Sequence, residues 1–118
     1  MADQNQIEAL YQKGFDARCA GRYGEARLYL ESVLNQEPGH IRARHQMGLI
    51  QGFEGDFDGS LETLQTLSTQ DPNDLDVRYD LAMTQMMLGM NDEAAHNFRI
   101  IVAVNPSHEK ARQQLAYF

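Results

Sequence analysis

Apolar residues recur along this chain at the spacing of helices rather than of strands. One set of segments begins near Ile7, Ile41 and Leu75 and stops near Gly21, Gly55 and Gly89. A second segment follows each glycine and ends shortly before Pro38, Pro72 or Pro106. Glycine is a natural helix terminator, and proline cannot continue a helix comfortably. The pattern therefore predicts paired helices, with "EPGH", "DPND" and "NPSH" as the turns between pairs.

The punctuation is periodic. The three prolines are 34 residues apart, as are the three glycines. Gly14, Gly48 and Ala82 keep the same step, and so do Ala26, Ser60 and Ala94, and Leu30, Leu64 and Phe98. Agreement of five registers without an insertion marks an internal repeat. On these residues, with Tyr23 and Phe57 added, the sequence resembles the tetratricopeptide repeat family over roughly residues 7 to 108. The resemblance implies an all-α fold, a right-handed superhelical solenoid of antiparallel helix pairs. It implies a disordered stretch at 1–6, repeats at 7–40, 41–74 and 75–108, and a last helix at 109–118. That tail, in which "ARQQLA" matches "VRYDLA" and "ARHQMG", is either a cap on the solenoid or the start of a fourth repeat. The chain departs from the family where Leu10, Arg44 and Arg78 replace a large aromatic, and where Ala17, Gln51 and Gln85 replace a tyrosine.

Charge narrows the partners. The net charge is −7, and no basic stripe is available to neutralise phosphates, which argues against nucleic acid. Acidity peaks over residues 41 to 74, where six carboxylates accompany only Arg42 and Arg44. No apolar run approaches the ~20 residues of a membrane span. The polar start "MADQNQ" lacks the features of a secretion signal, and the single Cys19 cannot form an internal disulfide. These features together predict a cytoplasmic protein.

The stretch "LAMTQMMLGM" holds four of the six methionines. On a helix over 75–88, Val77, Leu81, Thr84 and Leu88 gather in one sector, about 100–160° from Met83. Ala82 falls with the Arg78 and Gln85 stems in a second, at about 200–260°. Those are the expected packing sides, which leaves Asp76, Tyr79, Asp80, Met83, Met86 and Met87 on the remaining arc. Steps of 34 carry Met83 to Leu49, Phe15 and Tyr117, Tyr79 to His45 and Tyr11, and Met87 to Phe53 and Cys19. The resemblance places this arc on a concave groove where partners bind. The expected site is therefore Tyr11, Phe15, His45, Leu49, Phe53, Tyr79, Met83, Met86 and Met87, with Arg18, Arg42, Asp76 and Asp80 at the rim. Methionine suits such a surface because its flexible thioether repacks against varied partners.

The expected function is a non-catalytic scaffold that binds another protein through an apolar peptide or helix, without a cofactor. Two alternatives stand beside it: self-assembly through Tyr117 and Phe118 of the last helix, and a chaperone of the bacterial secretion type. In the family's clamp for acidic chaperone tails, the matching positions hold Tyr11, Phe15, Gln46, Asp76 and Asp80, so that ligand is not expected. "EGDFDGS" fails as a calcium loop because Leu61 and Leu67 stand where glycine and glutamate are required. The methionines have no cysteine pair or histidine cluster beside them, so no metal site is expected. No phosphate loop, nucleophile elbow or zinc helix is present. His40 and His108, which recur after the prolines, read as solvated surface residues.

Overall fold

The computed structural model describes residues 3–118, which contain seven helices and no strand. They are α1 (Gln4–Cys19), α2 (Tyr23–Gln36), α3 (Ile41–Phe53), α4 (Phe57–Gln70), α5 (Leu75–Met87), α6 (Asn91–Val104) and α7 (Glu109–Leu115). The chain divides into two compact units, Met1–Asp56 and Phe57–Phe118. The helix starts carry the repeat themselves, since α3, α5 and α7 begin 34 residues apart, as do α2, α4 and α6.

Each boundary has a local cause. Gly21, Gly55 and Gly89 adopt positive φ (79°, 91° and 75°), a conformation that side-chain-bearing residues resist. After each glycine one backbone N–H returns to the helix: Arg22 to the Ala17 carbonyl, Asp56 to Gln51 and Met90 to Gln85, all at 2.8 Å. This is the Schellman closure, and it satisfies carbonyls that the helix end leaves free. At the other end, His40, Asp74 and His108 each accept the N–H of the residue three positions on, which starts α3, α5 and α7. The first helix starts earlier than its apolar pattern suggests. Asp3 accepts the Asn5 N–H at 2.9 Å, so residues 4–6 are helical where disorder was expected; residues 1 and 2 lie outside the described chain.

In the first unit the core is formed by Ile7, Tyr11, Ala17, Ala26, Leu30, Val33, Ala43 and Ile50. Helices α1 and α2 meet at Gly14, where an added Cβ would stand 2.8 Å from the Leu30 side chain. That separation is below ordinary contact, so the glycine sets how closely the pair approaches. In the second unit Ala82, Ala94, Phe98, Ile101 and Ala111 are fully buried, with Tyr79, Met83, Met86 and Leu115 packed against them. Burying such side chains is the main source of stability for helices this short.

Candidate partner-binding faces

In the first unit, α1 and α3 bring Tyr11, Phe15, Arg18, Arg42, His45, Leu49 and Phe53 into play, but not as a uniform surface. Tyr11 is buried, only 6% exposed. Its ring stacks on His40 at 5.4 Å, and the Arg42 guanidinium lies over it at 4.4 Å. Arg42 is also paired with Glu8. Arg18 lies over the Phe15 ring at 5.2 Å and donates from Nε to Gln46 Oε1 at 2.8 Å. Both arginines are thus engaged within the fold, although the Arg42 side chain stays more than half exposed. Their flat guanidinium groups cover aromatic faces that water would otherwise meet. His45 and Leu49 are half-buried. Phe53 is 54% exposed, although its ring stacks on Tyr23 at 5.5 Å.

In the second unit the methionines separate. Met83 and Met86 are half-buried against the core, whereas Met87 is 68% exposed. Tyr79 meets Phe98 edge-on at 5.8 Å and stacks on His108 at 5.6 Å. Asp76 is exposed and Asp80 half-buried. At the chain's end Phe118 turns back to within 6.1 Å of the Phe98 ring, while Tyr117 is 79% exposed. The two sectors expected to pack are buried: Val77, Leu81 and Thr84 in one, Ala82 and Gln85 in the other.

Two features lie outside the sequence reading. His40 and His108 are half-buried helix caps, not solvated residues. The aspartate at the equivalent position 74 was the signal that could have revealed this, because aspartate is a favoured cap. The second feature is a polar chain through the α5–α6 contact. Arg78 Nη1 donates to Asn97 Oδ1 at 2.9 Å, and Asn97 Nδ2 donates to Gln85 Oε1 at 2.8 Å. Arg78 and Gln85 are two of the departures from the family pattern, and Asn97 joins them.

The phenols of Tyr11 and Tyr79 are both pushed above the ordinary tyrosine range, chiefly by burial. For Tyr11 the nearby Arg42 charge opposes this; for Tyr79 the Asp80 carboxylate adds to it. Folding therefore favours the neutral phenols. Their contribution to stability is complete below the unfolded value of ~10 and is lost as pH rises through the folded values. The denaturation midpoint should fall in this alkaline interval, and Tyr11→Phe with Tyr79→Phe should flatten the fall. An equally steep fall in the double variant would place its cause elsewhere.

Among the described residues no three histidine, cysteine, aspartate or glutamate side chains are grouped to hold a metal ion. No described helix is long and apolar enough to cross a membrane. The arrangement offers exposed apolar side chains on helical faces.

A sequence profile of the tetratricopeptide repeat matches residues 54–113. No curated protein matches the chain by sequence. Among solved structures, MamA from Desulfovibrio magneticus is 22% identical with a TM-score of 0.82, over 94% of this chain and 63% of that one. An O-GlcNAc transferase of Thermobaculum terrenum is 21% identical with a TM-score of 0.89, over 98% of this chain and 22% of that one. PcrH of Pseudomonas aeruginosa, in complex with the chaperone binding region of PopB, is 21% identical with a TM-score of 0.81. There the match covers 98% of this chain and 96% of PcrH. The chain thus spans less than two thirds of that MamA chain and under a quarter of the transferase chain. At these identities the likeness shows the fold, an all-α solenoid of helix pairs.

Proposed function

Since this chain belongs to the tetratricopeptide repeat family, we propose that it is a non-catalytic interaction module that binds an apolar peptide or a partner helix. In the first unit the binding face is Phe53, Leu49 and Phe15 on α1 and α3, and in the second it is Met87 and Met83 on α5. One observation carries this reading. Phe53 and Met87 occupy the same repeat position, and both are more than half exposed although large and apolar. Leu28 and Val104 are exposed as well, but Phe53 and Met87 recur at one repeat position and stand beside further apolar side chains of the same faces. The half-buried neighbours fix the shape of each face, and the exposed pair supplies area to bury on binding. With a single cysteine, the module is assigned to the cytoplasm.

A second reading, a chaperone that holds an apolar segment of its client, is favoured by the near full-length likeness to PcrH, whose complex contains the chaperone binding region of PopB. Both readings place the ligand on the same side chains. A tagged pull-down should compare the wild type with Met87→Glu and Phe53→Glu. Fully burying one large apolar side chain is worth ~1.5–3 kcal/mol. Each variant should therefore weaken a captured partner by roughly tenfold or more while keeping wild-type helicity by circular dichroism. Equal capture by both folded variants would move the binding surface away from these faces.

A further inference from the structure

We propose that His40 and His108 are proton-operated locks on the first turns of α3 and α7. The Ala43 N–H donates to His40 Nδ1 at 3.1 Å, and the Ala111 N–H donates to His108 Nδ1 at the same distance. Each bond needs an unprotonated Nδ1. Each ring is also stacked on a tyrosine of an earlier helix, Tyr11 at 27° between planes and Tyr79 at 29°. The same three-part arrangement is thus built twice in one chain. A proton on Nδ1 removes the acceptor and leaves the backbone N–H unpaired. It also puts a cation at the positive end of the helix, where an anion or a neutral acceptor is favoured.

The third start of this kind is the internal control. Asp74 Oδ1 accepts the Val77 N–H at 3.1 Å, so α5 has the same cap geometry without an imidazole. An imidazole cap can be lost to a proton on its accepting nitrogen, whereas an aspartate cap has a second carboxylate oxygen and no ring to charge. Ionisable groups on the elements around His40 include Glu8, Tyr11, Lys13, Asp16 and Arg18 of α1, Glu37 after α2, and Arg42, Arg44 and His45 of α3. On the elements around His108 they include Asp76, Arg78, Tyr79 and Asp80 of α5, His96 and Arg99 of α6, and Glu109, Lys110 and Arg112 of α7. Arg42 already lies over the Tyr11 ring, so a charged His40 brings a second cation to the same tyrosine. Mild acid loosens the starts of α3 and α7. Only the consequence for partner binding rests on the function proposed above.

Amide hydrogen exchange of the full chain, read by NMR at pH about 7.5 and about 5.5 and corrected for intrinsic rates, tests the locks without a partner. Protection of the Ala43 and Ala111 amides should fall roughly five-fold more than that of Val77, the size of effect expected for a lost cap. The His40→Asp/His108→Asp variant keeps His45 and His96 and should abolish the difference. Parallel behaviour of the three amides in the wild type, or a drop that persists in the aspartate variant, would overturn the proposal. Because no ligand is involved, the result is independent of whether the faces bind a peptide.

Discussion

Phe98→Ala should cost about 3–5 kcal/mol, the largest loss expected of any single side chain in the second unit. Phe98 is fully buried, with Tyr79 edge-on to its ring and Phe118 on another side. Its other core neighbours include Ala82, Ala94 and Ala111, which are also fully buried. The alanines bring the helix backbones close and cannot fill the space, whereas Met83 and Met86, packed against the same core, reach only part of it. The cavity that remains adds to the lost transfer free energy. Denaturant unfolding of purified protein measures the loss. Phe118→Ala is the companion, since that ring is nearly half exposed and should cost about 1 kcal/mol or less. A loss below about 1.5 kcal/mol for Phe98→Ala would mean that α5, α6 and α7 close over the gap.

Asn97→Leu should destabilise by about 2–4 kcal/mol even though it makes the α5–α6 contact more apolar. The asparagine serves two partners at once. Leucine leaves the buried Gln85 carbonyl oxygen without its donor and Arg78 Nη1 without its acceptor. Each stranded polar group costs about 1–3 kcal/mol, partly offset by the added apolar burial. Arg78 has little spare capacity. Its Nη2 already donates to the Pro72 carbonyl at 3.1 Å, and its Nε is buried without a partner. Because stranding rather than polarity is the cause, Asn97→Leu/Gln85→Leu should recover part of the loss. A double-mutant cycle isolates that coupling. An Asn97→Leu protein within about 0.5 kcal/mol of wild type would show that the chain of hydrogen bonds contributes nothing net.

The contrast between these two residues shows which parts of the protein are legible in advance. Phe98 belongs to a 34-residue register with Leu30 and Leu64, and all three are fully buried. A core position repeats because every helix pair must bury the same side of its helices. Asn97 has no such register, since Tyr29 and Thr63 precede it at the same step. Its role exists only because Arg78 and Gln85 stand two turns apart on α5, where Asn97 of α6 bonds to both. The candidate faces divide in the same way. The arc containing Tyr11, Met83 and Met87 follows from helical geometry, but how deeply each side chain sinks does not. Tyr11 is covered by His40 and Arg42, Met83 is half-buried, and Met87 is left in water.

What the sequence determined by itself was the family, the helix pairs and their punctuation. Those depend on interactions within a few residues: a positive φ that glycine tolerates, a proline without an N–H, and an apolar stripe with a helical period. Only the tertiary structure decided the partners of the polar side chains. The register shared with Asp74 points to the capping role of His40 and His108, but nothing in the local sequence shows that they stack on tyrosines or that Arg18 and Arg42 lie over rings. Those outcomes depend on which groups other helices bring within hydrogen-bonding distance. For this chain, that packing closes Tyr11 and leaves Phe53 and Met87 exposed.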